Sequence, residues 1–332
     1  MGNGQLAVDH PAVHPPGIYF EMPFEEYRAA LALSAHGIVQ LRSSPLNWWV
    51  HSPLNPELVE EETDAKIIGK AYHTHIIEGA SVFRDRYAME LRKKDWPNAL
   101  ITKEMLAAHI IGRGGTVRSS ATKADLIGEC LRLDATAQIW DRIEEDHARR
   151  HEGKIFLSPS LYTDIEIASA IIQNHRQLRK AFTGGQPEVS IFWFDPATGV
   201  PCKARIDYLK PRAIVDLKTF VSRDMNPDKA IARAVATYKY HIQAAFYLRA
   251  MRHVQPKMDR TFLFVFQDKG KAPIVRGKVM APGIALDIGH AAIEEALEKW
   301  KRCWSQWRED PWNEITDITT FEDNEFPVWM AD

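Results

Sequence analysis

Arg205-Ile206-Asp207, a turn at Lys210-Pro211-Arg212, and then Ile214-Val215-Asp216-Leu217-Lys218 decide how this 332-residue chain folds. On extended backbone, residues two apart project to the same side, so Asp216 and Lys218 point together while Leu217 faces the core. The turn folds the Asp207 strand back alongside. Two carboxylates and a lysine then meet at the end of a hairpin, with the Leu217 carbonyl as a further oxygen. That is the donor set a hard cation such as Mg²⁺ takes. A lysine placed there can orient and help deprotonate an attacking water, or stabilise negative charge on a phosphate. A bare Asp-x-Lys is most often a solvated strand end, but Asp207 and Glu188 beside it shift the balance towards chemistry.

Working outward, Glu188 to Phe194 is β-branched and aromatic, Asp195 to Gly199 supplies turn residues, and Lys203 to Leu209 and Ala213 to Lys218 follow as strands. Pro227 and Asp228 open a helix that breaks near Thr237 and runs on through Tyr240 to Arg252. Strands at Thr261 to Phe266 and near Ile274 to Val279 precede a long helix from Ile284 to about Trp307. Upstream of Gly184-Gly185 the pattern is helical. Ser34 can cap one short helix and Ser44-Pro45 can start another, and Asp64 to Glu78 reads as a helix. Lys123 to Arg150 and Ser160 to Phe182 are helical stretches, while Arg84 to Lys123 is mixed and contains a basic Gly/Ser segment read as a mobile loop. The expected fold class is α/β, a mixed central sheet flanked by helices with a helical N-terminal part.

Taken in order, Gly69-Lys70-Ala71-Tyr72-His73, Glu188, Lys203-Ala204-Arg205-Ile206-Asp207, Val215-Asp216-Leu217-Lys218-Thr219 and Tyr240-His241-Ile242-Gln243-Ala244-Ala245-Phe246-Tyr247 resemble the PD-(D/E)xK nuclease superfamily, specifically its RecE-type exodeoxyribonuclease VIII branch. Leu33-Ser34 and Leu41-Arg42-Ser43-Ser44-Pro45 resemble that branch's N-terminal element. The resemblance covers about Ile18 to Trp307 and is thin between Asp85 and Arg150. It implies a nuclease domain over 18–307 with a variable insertion at 83–150; residues 1–17, with several Gly and Pro and no periodicity, read as an irregular arm, and 308–332 is an acidic aromatic tail that the resemblance does not explain.

The resemblance further implies that His73, Glu188, Asp207 and Asp216 surround divalent ions, two Mg²⁺ with Mn²⁺ as a substitute, and that Lys218 serves the nucleophilic water. Gln243 and Tyr240 then line the catalytic pocket. Hydrophobic phasing alone favours His75 as a core residue on the Ile68, Tyr72, Ile76 face, and only the family spacing selects His73. Arg42 and Ser44, at a helix start, are suited to holding a phosphate, with plain capping and surface charge as the equal alternative. Arg205 is expected to contact DNA. The implied activity is digestion of one strand of linear duplex DNA, 5′ to 3′ and processive, leaving a 3′ tail for phage or prophage recombination. The implied partners are DNA ends, a RecT-like annealing protein and further copies of the chain in a ring, a tetramer by resemblance.

Composition bounds the remaining choices. Hydrophobic residues make up 45% and charged residues 26%, ordinary for a folded globular chain. Three scattered cysteines exclude a four-cysteine iron-sulfur variant of the superfamily and fit a reducing, cytoplasmic compartment. No uncharged apolar run long enough to span a membrane is present, so no membrane partner is expected. From Glu309 onward there are eight acids and no Lys or Arg, so the body carries +6 although the whole chain carries -2. Trp312, Phe321, Phe326 and Trp329 in that tail point to docking on a basic surface: the chain's own body, a neighbouring subunit or a recombination protein. A serine-proline-aspartate-glycine element like that of the phage lambda-type exonucleases is missing before the metal strand. An endonuclease of the same fold, or a DNA-binding protein with a silent core, remains the alternative.

Overall fold

The computed structural model describes residues 14–59, 62–221, 226–269, 273–313, 320 and 322. The chain begins with β1 (Gly17–Tyr19), α1 (Phe24–Ala29), α2 (Ala35–Ser43) and α3 (Pro45–Val50). Ser34 and Ser44 cap α2 and α3, accepting bonds from the Gly37 and Asn47 amides. An inserted region then runs through α4 (Asp64–His73), a π-helical turn at Thr74–Glu78, α5 (Ala80–Arg86), β2 (Tyr87–Met89), α6 (Lys103–Gly112), α7 (Lys123–Leu133), α8 (Trp140–Arg150), β3 (Ile155–Leu157) and α9 (Pro159–Asn174). After it come β4 (Gln186–Phe194), β5 (Pro201–Lys210), β6 (Ala213–Phe220), α10 (Pro227–Thr237), α11 (Tyr240–Val254), β7 (Thr261–Asp268), β8 (Val275–Met280) and α12 (Ile284–Trp307).

Two compact units result, one of residues 1–62, 176–270 and 274–332, the other of 63–175 with 271–273. The first is built on a six-stranded mixed sheet, ordered β1-β4-β5-β6-β7-β8, in which β6 and β7 run parallel and the other neighbours antiparallel. Alternating apolar residues of β4 and β5 (Val189, Ile191, Ala204, Ile206) pack with Phe262, Phe264 and Phe266 of β7 against α2, α11 and α12. The α11–α12 contact is close because Gly289 carries no side chain. A Cβ there would lie 2.8 Å from the His241 carbonyl oxygen. The α/β class and the helix-flanked central sheet are as the sequence pattern requires.

The second unit has two small cores. Tyr72, Phe83, Tyr87, Leu157 and Ile165 form one, and Leu106, Ile110, Leu126, Cys130 and Ile139 the other. Here several boundaries differ from the sequence reading. The expected helix over 64–78 widens into a π turn after His73, and the stretch 123–150 splits into α7 and α8, with Asp134 accepting bonds from the Thr136 amide and hydroxyl in the break. The helix expected over 160–182 ends at Asn174. The stretch read as mixed contains α6, capped by Thr102 and held by buried Leu106 and Ile110, which ends before the basic Gly/Ser segment. Among the described residues no helix is long and apolar enough to cross a membrane.

Candidate active site

Pairing between β5 and β6 runs from Lys210–Ala213 to Tyr208–Val215 and stops. The same register would next set Asp207 opposite Asp216. There the strands part. Asp207 Oδ2 takes the place of the lost ladder bond by accepting from the Leu217 amide at 2.8 Å. Asp216 is fully buried, and each of its oxygens is held: Gln243 Nε2 donates to Oδ1 at 2.7 Å, and Lys218 Nζ lies 2.8 Å from Oδ2. Lys218 Nζ also sits 4.8 Å above the centre of the Tyr240 ring. Thus β6 presents Asp216 and Lys218 on one side, and the helical face of α11 meets them with Tyr240 and Gln243.

Burial pulls the Lys218 ammonium down, but the carboxylates of Asp216 and Asp207 outweigh it and hold its pKa above the ordinary lysine value. The side chain is therefore a cation at neutral pH, suited to stabilising charge on a phosphate. Burial raises the Tyr240 and Tyr247 hydroxyls, and Gln243 shares a hydrogen bond with Tyr247. Gln243 thereby ties Asp216 to a second buried group.

On β4, Glu188 has φ 50°, in the left-handed region that non-glycine residues rarely occupy. Pairing with β5 holds at Pro187–Tyr208 and Val189–Ile206 but skips the position between. Such a conformation costs on the order of 1–3 kcal/mol and persists where its surroundings over-determine it. Arg205 supplies that constraint: its Nε lies 2.8 Å from Glu188, while its NH1 donates to Ser190 Oγ and to the Met22 carbonyl. Carboxylate oxygens of Glu188 and Asp207 lie within 4.8 Å of each other. Burial first, then the Glu188 charge, push Asp207 up to about 7 against the pull of Lys218. Two nearby carboxylates, one of which takes up a proton near neutrality, fit a divalent cation, which relieves the same repulsion.

A carboxyl raised from about 3.9 in the unfolded chain to about 7 in the fold contributes stability that is fully present below about pH 4 and lost as pH rises through 7. In EDTA, Asp207→Asn should therefore gain stability relative to the parent as pH is raised from 4 to 8. Thermal melts of both proteins across that range check it, and a parallel pH dependence in the two would contradict it.

The other expected site residues fall in different places. Arg205 is engaged by Glu188 and by the N-terminal segment, with a side chain only 14% exposed, so its visible work is positioning. Arg42 pairs with Glu295 at 2.9 Å, and the Ser44 hydroxyl is the cap of α3. In the second unit, His75 is buried and packed edge-on against Phe83, with its pKa lowered by burial, whereas His73 is partly exposed where α4 passes into the π turn. Such turns often accompany functional sites.

Lys203 is a residue that sequence reasoning did not single out for a role. Its ammonium is buried and donates to the carbonyls of Tyr27, Arg28 and Ala30, anchoring the N-terminal segment over β5, and burial lowers its pKa to about 7. A lysine at the buried end of a strand was the available signal, but its acceptors lie some 175 residues away in sequence.

A family model described as a PDDEXK-like domain of unknown function (DUF3799) matches residues 50–314. Among solved structures, the chain is similar to a "Putative exonuclease" from Eubacterium rectale, with 15% identity and a TM-score of 0.49, over 91% of this chain and 97% of the other. A protein designated SSO0001 is similar at 9% identity with a TM-score of 0.26, over 72% of this chain and 88% of the other. Neither superposition is close enough to bear on function. No curated protein matches the chain.

Proposed function

The chain belongs to the PDDEXK-like DUF3799 family, and on that premise we propose that it is a Mg²⁺-dependent exodeoxyribonuclease acting on linear duplex DNA. The observation that carries this reading is the convergence of Asp207, Asp216 and Lys218 at the point where β5 and β6 part, with Gln243 bonded to Asp216. Asp207, Asp216, Glu188 and the Leu217 carbonyl would hold the metal, with His73 as a further ligand by family resemblance. Bound divalent ions supply Lewis-acid stabilisation of the phosphate and lower the pKa of water.

The chain's own residues do the remainder. Lys218 offers a fixed positive charge to the phosphate oxygens, and Gln243 keeps the Asp216 carboxylate from rotating. Arg205 keeps Glu188 aimed beside Asp207. A water oxygen bonds to phosphorus as it gives up a proton to solvent or a basic group, the bond to the 3′ oxygen breaks, and that oxygen takes a proton from solvent to leave as the 3′ hydroxyl. Neither a nucleophilic serine nor a cysteine is required. The finer reading adds 5′ to 3′ processive digestion, a ring of identical subunits, and a 3′ tail passed to a RecT-like annealing protein, with Mn²⁺ replacing Mg²⁺.

End-labelled linear duplex and covalently closed circles, incubated with the protein and Mg²⁺, test it. Linear DNA should be degraded to mononucleotides and single strands while closed circles are spared. Linearisation of closed circles at a comparable rate would establish the endonuclease alternative instead.

A further inference from the structure

Between α10 and α11 the chain turns at Lys239, whose φ of 58° lies in the left-handed region. The turn brings Tyr238 and Tyr240 into a stack, with ring centres 5.6 Å apart and planes 27° apart. Tyr240 leads inward, since Lys218 Nζ lies over its ring. Tyr238 leads outward and is 65% exposed. A cavity of about 450 Å³ opens beside the stack, lined by His36, Lys218, Tyr238, Lys239, Tyr240 and Gln243. The left-handed Lys239 beside this ring is the kind of strained position that clusters at ligand sites.

We propose that this cavity receives an unpaired nucleobase of the strand being cut, stacked on Tyr238, with Lys239 against the adjoining phosphate. The position of that base next to the scissile phosphate rests on the nuclease reading of Lys218. The recognising chemistry is an aromatic platform with cations at its rim, which accepts any base because every base has a π face. The cavity volume is within the range of about 300–1,000 Å³ that small ligands occupy. A consequence is a preference for frayed or single-stranded ends, because a base must leave its duplex partner to reach the platform.

Binding of fluorescent oligonucleotides to the full chain in EDTA, read by anisotropy, tests this without any cleavage. The strands carry either a complete set of bases or a single abasic position walked through the terminal nucleotides. The parent protein should bind roughly 5- to 100-fold more weakly when the abasic position falls in the cavity. Tyr238→Ala should lose the same factor on complete strands and become indifferent to that abasic position, and Tyr238→Trp should restore both. A Tyr238→Ala protein that binds like the parent, or stays equally sensitive to the abasic position, overturns the proposal, as does failure to bind single strands. Absence of cleavage in a separate Mg²⁺ assay would strike the nuclease reading and leave this binding result standing.

Discussion

Lys218→Ala is expected to yield a folded protein that binds divalent metal and DNA but does not cut, while Asp216→Ala loses cutting and weakens metal binding as well. The difference follows from what each group does. Lys218 contributes charge towards the phosphate, whereas Asp216 is a buried carboxylate whose two oxygens are held by Gln243 and Lys218. Each loss should lower kcat by roughly a thousandfold or more, the scale of removing a group that acts on the transition state. Each variant also breaks a buried charge pair, so a loss of stability of about 3–5 kcal/mol accompanies it. Calorimetric metal titration alongside cleavage kinetics separates the two variants. Near-normal digestion by either would remove the proposed site.

Truncation after Arg308 is expected to destabilise the fold by about 3–5 kcal/mol relative to truncation after Asn313. Trp312 is fully buried, stacked on Trp48 with ring centres 4.3 Å apart and set edge-on to Trp300. The Trp49 indole donates to the Glu309 carbonyl. The first residues of the acidic segment are therefore part of the core against α3 and α12. Urea unfolding of the two truncated proteins checks this, and equal midpoints would contradict it. Phe321, Phe326 and Trp329 lie outside the described residues, so a role for them in docking remains a proposal of its own.

Much of the first unit was legible because its signals are local. The strands read at 188–194, 203–209 and 213–218 appear as β4, β5 and β6, and the Ser34 and Ser44 caps lie where the chain enters α2 and α3. Asp216 and Lys218 share a side of their strand because strand period alone requires it. Other features were not legible, for physical reasons. The left-handed Glu188, held by Arg205 of the neighbouring strand, and the parting of β5 from β6 depend on residues of different strands, which no window of sequence contains. Three-residue strands such as β1, β2 and β3 are too short for a period to show. Helix α6 did carry a signal, Thr102 as its cap with Leu106 and Ile110 one turn apart, which the neighbouring glycines and basic residues obscured.

The central claim is metal-dependent phosphodiester hydrolysis at the parted strands, and release of nucleotides from linear duplex DNA by the purified protein tests it most directly. With Mg²⁺ the parent protein should release them steadily, EDTA added midway should stop release at once, and the Asp216→Ala protein should release none. Release that continues in EDTA, or that proceeds equally without Asp216, would contradict it.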